Sequence, residues 1–160
     1  TTEAISPTDT WSTRPKLETG QVFRLENIYF DFDQAALKPE SRVELDKLVS
    51  LMQQYPEMKI TILSHTDARG AATYNFDLSQ RRAEAVIYYL VTHRIDRQRL
   101  RARGYGEYRP VNRCQEGVDC SDTEHARNRR TEFQVDELGS TMVVPPSPTS
   151  PDASWTWRHN

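Results

Sequence analysis

Hydrophobic positions along this chain fall into short blocks whose spacing switches between two residues and three to four. From Val22 to Phe32, Ile28, Phe30 and Phe32 recur at period two, which predicts a strand with one buried face. Pro39 follows near the start of a predicted helix reaching about Tyr55, where its fixed φ suits the first turn. Within that helix Leu45, Leu48, Val49 and Met52 keep the i, i+3, i+4, i+7 spacing of a single buried stripe. Pro56 ends it, and Met58, Ile60 and Ile62 alternate as a second strand that runs into Ser64, His65, Thr66 and Asp67. Gly70 marks a loop, after which Asn75 is expected to cap a helix through about Thr92, with Ala83, Val86, Ile87 and Leu90 as its stripe. A third strand is predicted near Leu100 to Tyr105, ending in Gly104-Tyr105-Gly106. Ser121 and Glu124 form the capping-box pattern of a short third helix, and Thr131, Phe133 and Val135 alternate as a closing strand. The order β-α-β-α-β-α-β predicts an α/β two-layer sandwich, one mixed sheet covered by helices.

The periodic pattern stops at both ends. Residues 1–20 read as an N-terminal linker, 21–138 as one domain, and 139–160 as a Pro/Ser-rich tail that carries Trp155 and Trp157. The polar ends account for a hydrophobic share of only 36%. Net charge is −2 with both signs mixed throughout, which argues against a nucleic-acid partner, since that needs a concentrated basic field. No apolar run approaches the roughly 20 residues of a membrane span. A start at Thr1-Thr2 fits a processed product or an excised fragment.

Two cysteines, Cys114 and Cys120, stand with five residues between them in a loop-like stretch. In an oxidising compartment that spacing closes a small disulfide ring, worth about 2 kcal/mol. A zinc site would recruit His125, but its spacing is unusual and it lacks a fourth ligand, so no metal is expected. Free thiols are the remaining reading.

Candidate chemistry gathers around Asp67, which lies just beyond a strand, where open α/β sheets bind ligands. Asn75, Ser79 and Arg82 share one face of the following helix, and Arg129 falls just before the last strand. A carboxylate opposite one or two guanidinium groups suits a zwitterion: Asp67 accepts from an ammonium and a planar guanidinium holds a carboxylate through paired bonds. The same residues would serve equally as a structural ion pair between Asp67 and Arg82, and spacing does not separate the two readings.

Resemblance does separate them. Ile28-Tyr29-Phe30-Asp31-Phe32-Asp33 with Leu37-Lys38-Pro39 forms a first block. His65-Thr66-Asp67 with Gly70, Tyr74-Asn75, Leu78-Ser79 and Arg82-Ala83 forms a second. Gly104-Tyr105-Gly106-Glu107 and Asn128-Arg129-Arg130 complete a set that closely resembles the OmpA-like C-terminal domain over about residues 22–136. The resemblance implies a non-enzymatic domain of the periplasm, associated with the outer membrane and cell wall, that binds peptidoglycan without cutting it. It implies that Asp67 takes the ammonium of the stem peptide's diaminopimelate and Arg82 its carboxylate. Asn75 and Thr66 would support them, and Asp33 and Arg129 would line the same pocket. Asp33 stands where relatives often carry Asn. The two-Cys insert looks like the variety found in Bacteroidota envelope proteins, and the Thr-rich start with Gly20-Gln21-Val22-Phe23-Arg24-Leu25 is similar to Bacteroidota proteins that include a peptidoglycan-associated part of the type IX secretion machinery.

Two other function classes bear on the chain. An enzyme would use His65 with Asp67, or gather His65, His93 and His125 around a metal, but no His-Glu-x-x-His or Gly-x-Ser-x-Gly accompanies them. Neither a cofactor nor catalysis is therefore expected. A protein–protein module of an envelope secretion complex would use the sheet edge or the Trp-containing tail, and it is compatible with wall binding.

Overall fold

Among the residues that the computed structural model describes, 17–30 and 34–139, four strands form one sheet in the order β1-β4-β2-β3. The strands are β1 (Val22–Leu25), β2 (Lys59–His65), β3 (Leu100–Gly106) and β4 (Arg130–Glu137), and the helices are α1 (Arg42–Gln54), α2 (Ala72–Thr92) and α3 (Asp122–Ala126). β4 lies antiparallel to both β1 and β2, while β2 and β3 run parallel and are joined by α2, so the sheet is mixed. Most of the expected N-terminal linker, the tail from residue 140, and Phe32 and Asp33 lie outside the described residues.

One face of the sheet and two helix stripes make the core. Phe23, Leu25, Ile60, Ile62, Leu100, Phe133 and Val135 meet the α1 stripe Leu45, Leu48, Val49 and Met52 and the α2 stripe Ala83, Val86, Ile87 and Leu90. Both helix stripes are buried as the 3.6 periodicity requires, and so at period two are Met58 just before β2, Ile60 and Ile62 within it, and Thr131, Phe133 and Val135 of β4. The other sheet face is polar, and Thr61 there donates to Asp136 Oδ2 at 2.6 Å. Pro39 opens a single 3-10 turn, Pro39–Ser41, that leads into α1.

Two expectations need correction. The first strand ends at Leu25, because the chain turns at Asn27, whose φ of 58° is one that Asn tolerates better than most residues. Ile28 and Phe30 still pack against the core, and Phe30 keeps an isolated bridge to Leu37. The second helix begins at Ala72 with Ala71 as its N-cap, so Asn75 is not the cap. Its backbone N–H already donates within the helix, to the Ala71 carbonyl at 3.0 Å, which frees its side chain for the preceding loop.

α2 reaches β3 closely because Gly104 has no side chain. A Cβ there would lie 2.2 Å from the Gln80 backbone nitrogen and 2.4 Å from Ser79 Oγ. In that narrow gap Ser79 Oγ accepts the Gly106 N–H and Gln80 Oε1 accepts the Gly104 N–H, each at 2.8 Å. The capping box at α3 forms as expected, with Ser121 and Glu124 bonding reciprocally. Cys114 and Cys120 are joined as a disulfide.

Candidate functional site

The loop after β2 is anchored before it turns away. The Thr66 N–H donates to the Gly106 carbonyl at 2.8 Å, which extends the β2–β3 pairing by one residue, and Thr66 Oγ1 donates to the Asp67 carbonyl at 2.9 Å. Asn75 holds the same loop from α2: its Nδ2 donates to the Arg69 carbonyl at 2.8 Å, the Asp67 carbonyl at 3.3 Å and Glu107 Oε1 at 3.2 Å. Asp67 is thereby fixed at the strand end with only 8% of its surface exposed.

Two guanidinium groups meet the Asp67 carboxylate. Oδ1 accepts the Arg69 backbone N–H at 2.9 Å and Arg69 Nε at 3.3 Å. Oδ2 accepts Arg69 Nη2 at 3.0 Å and Arg129 Nη1 at 2.8 Å. Burial pushes this carboxyl up, but the bonds from the Arg69 and Arg129 side chains and the Arg69 backbone outweigh it and hold the group at about 2. It is an anion at neutral pH. The arginines are half-exposed, with 52% of the Arg69 side chain and 40% of the Arg129 side chain facing solvent. Arg69 Nη1 also donates to Asp122 Oδ1 at 2.9 Å, which ties the site to α3.

Of the residues singled out from sequence, the structure brings together Thr66, Asp67, Asn75 and Arg129. Arg82 is held elsewhere: its Nε donates to the Gln34 carbonyl at 2.8 Å, and its guanidinium lies 4.8 Å from the centre of the Phe30 ring. The structural ion pair between Asp67 and Arg82 therefore does not form, because Asp67 is taken by Arg69 and Arg129. Asp33 lies outside the described residues.

Residues 29–124 match the OmpA family. The chain belongs to that family. This OmpA-family chain is 39% identical over 117 residues to outer membrane porin F of Pseudomonas fluorescens, covering 72% of the chain and 34% of the porin. It therefore spans about a third of that relative's length. Among solved structures it is similar to the peptidoglycan-associated lipoprotein from Burkholderia pseudomallei, with a TM-score of 0.59 and 29% identity over 68% of this chain and 87% of that one. It is also similar to the cell wall anchor of the T6SS from Pseudomonas aeruginosa, with a TM-score of 0.58 and 26% identity over 71% of this chain and 78% of that one.

Two polar residues of this OmpA-family site had no role assigned from sequence. Arg69 looks like an ordinary loop cation, and the signal was its place two residues after Asp67, where its backbone and side chain both reach back. Glu107 directly follows Gly104-Tyr105-Gly106 at the end of β3 and is buried against Asn75. The histidines are used separately. His65 Nε2 bonds Glu132 Oε1 at 2.7 Å and its ring stacks on Tyr105, while His93 stacks on Tyr89 at the far end of α2. Among the described residues the one group with metal-ligand proximity is Cys114, Cys120 and Glu124, and both its sulfurs are already joined to each other. No helix among those residues is long and apolar enough to cross a membrane.

Proposed function

We propose that this domain binds peptidoglycan non-covalently through the diaminopimelate residue of the stem peptide and so anchors an outer-membrane protein or complex to the cell wall. The observation that carries this reading is a buried, ionised Asp67 flanked by half-exposed guanidinium groups at a strand end. The free end of diaminopimelate bears an ammonium and a carboxylate on one carbon, and the site offers the complement of each. Membership of the OmpA family supports the reading, as does likeness to a peptidoglycan-associated lipoprotein and to a cell wall anchor.

Asp67 accepts four hydrogen bonds from the chain itself, close to the capacity of a carboxylate. Binding is therefore an exchange. The ligand's ammonium displaces a guanidinium bond at Asp67, and the released guanidinium turns to the ligand's carboxylate. Arg129 is suited to this, since it gives one of its N–H groups to Asp67 and is the more loosely held of the pair. Arg82, about 10 Å further along α2 than Asn75, approaches the carboxylate from the Gln34 side. Asn75 and Thr66 hold the loop.

An exchange of this kind yields weak binding to one soluble stem, since each bond gained replaces one lost. A wall presents many stems, so an assembly carrying several domains stays attached by avidity. A finer version, a Bacteroidota-type domain serving the type IX secretion machinery, draws support from the two-Cys insert, which the Cys114–Cys120 ring fits. The direct test is co-sedimentation with purified diaminopimelate-type sacculi beside Asp67→Ala and Arg82→Ala, each checked for fold by circular dichroism. Wild-type chain should sediment and both variants should stay in solution. Unchanged sedimentation of both variants would remove the pocket from this role, and release of soluble fragments from the sacculi would make the chain an enzyme instead.

A further inference from the structure

The segment between β3 and β4 contributes Arg129 to the site, but most of it has no part in the ligand chemistry. It is closed on itself by the Cys114–Cys120 disulfide, and two paths of contacts lead from that ring to Asp67. Along the first, Cys120 is followed at once by Ser121, the N-cap of α3, and then by Asp122, whose Oδ1 accepts Arg69 Nη1 at 2.9 Å. Along the second, the Cys114 N–H donates to Asn112 Oδ1 at 3.1 Å, and the same oxygen accepts Asn128 Nδ2 at 2.8 Å. Asn112 Nδ2 also donates to the Glu124 carbonyl at 2.9 Å, which ties α3 to the same joint. Asn128 is almost fully buried and accepts the Val111 N–H at 2.7 Å, and the next residue is Arg129. Both guanidinium groups on Asp67 are thus placed by one polar joint and one ring.

α3 cannot hold this arrangement unaided. Five residues make little more than one turn, far short of a helix that persists by itself, so its position depends on the capping box and on what fixes Ser121. The covalent link restrains that residue directly, by tying its neighbour Cys120 back to Cys114 beside Asn112. Arg113 adds a bond to Glu124 Oε2 at 3.1 Å across the ring.

We infer that the Cys114–Cys120 ring is a positioning brace for the ligand site: closed, it sets Asp122 and Asn128 so that Arg69 and Arg129 both reach Asp67, and opening it weakens ligand binding there. This deepens the function proposed above and takes its ligand from that reading. Asp122 and Asn112 are positioning residues in it, since neither touches Asp67.

The test compares the oxidised full chain, the Cys114→Ser/Cys120→Ser double variant and Asp122→Asn. It uses two readouts, calorimetric affinity for a soluble diaminopimelate-bearing stem peptide and NMR titration of the Asp67 carboxyl. The ring-open variant should bind roughly fivefold or more weakly. Its Asp67 should titrate towards the ordinary carboxylate range, while the oxidised chain keeps that group ionised to about 2. Asp122→Asn should shift both readouts in the same direction by a smaller amount, with the ring intact. Either readout left unchanged in the ring-open variant overturns the brace. Should that variant unfold, Asp122→Asn decides, and an unmoved Asp67 titration there overturns it. If the oxidised chain itself binds no stem peptide, the proposed function fails separately, and the Asp67 titration alone sustains or overturns the brace.

Discussion

On the β2–α2 flank of the Asp67 site, positions are set by backbone bonds and close packing. On the 107–129 flank they are set by side chains and one covalent ring. The first flank has the Thr66 N–H on the Gly106 carbonyl, Ser79 Oγ under the Gly106 N–H, and Asn75 locked against three acceptors. The second has the Asn112–Asn128 pair, the exposed Arg69–Asp122 bridge and the disulfide. The contrast suggests a division of labour. The packed flank presents the carboxylate with little freedom, and the polar flank supplies Arg129 and, through Asp122, steers Arg69 from the facing loop, the two groups that the proposed exchange moves. Changes on the first flank should therefore register mainly as stability, and changes on the second mainly as affinity.

The sharpest way to break that division is Gly104→Ala. A methyl group there meets Gln80 backbone as well as Ser79 Oγ, and turning the Ser79 side chain does not relieve the backbone contact, so α2 must shift bodily. The expected cost is about 3 kcal/mol, read as a lower denaturant midpoint. A neutral result would show that the packed flank is softer than its geometry suggests. Opening the ring by Cys114→Ser/Cys120→Ser is the one change on the polar flank that also costs stability, about 2 kcal/mol, because it frees the unfolded chain and leaves the folded packing and the far-ultraviolet spectrum unchanged.

Asp67 ties the two flanks together and carries a pH signature. Its carboxyl titrates at about 2 in the folded chain against an ordinary 3.8, so the folded state resists protonation more than the unfolded one does. Its stabilising contribution is full above pH 3.8 and is lost as pH falls through about 2. It amounts to about 2 kcal/mol, and Asp67→Asn should remove that pH-dependent step from acid-denaturation curves. Ligand affinity should fall over the same range as the anion is lost. At the small end, Asp122→Asn removes an exposed ion pair and should leave the denaturant midpoint unmoved, while lowering stem-peptide affinity severalfold. A loss of stability there without a loss of affinity would reverse the division.

The packed flank was largely legible in the sequence because hydrophobic periodicity dictates it. The stripes Leu45 to Met52 and Ala83 to Leu90, and the alternation Met58, Ile60, Ile62, locate the helices and strands that put Asp67 at a strand end. Periodicity says little about where a polar side chain turns. Asn75 fits the pattern of a cap and instead sits one turn inside α2, because its N–H is taken by the helix and its amide by the loop. As an ion-pair partner of Asp67, Arg82 is replaced by Arg69, since a bond back over two residues is shorter than one from the third turn of a helix. Likewise the strand through Phe32 was over-extended. Ile28 and Phe30 keep their buried sides after the backbone has left the sheet at Asn27, so apolar alternation alone does not mark where a ladder stops. The capping box was readable because both its partners are local in sequence, whereas the Asn112–Asn128 joint spans a loop and leaves no periodic trace.

The central claim is that the site recognises the paired ammonium and carboxylate of diaminopimelate. Isothermal titration of the oxidised chain with two soluble stem peptides tests it most directly, one ending in diaminopimelate and one with lysine in its place, which keeps the ammonium and lacks the carboxylate. Weak but measurable binding of the first, falling roughly tenfold or more for the second, is the predicted result. Equal affinity for the two peptides, or binding of neither, would contradict the zwitterion clamp and leave Asp67, Arg69 and Arg129 as a structural cluster.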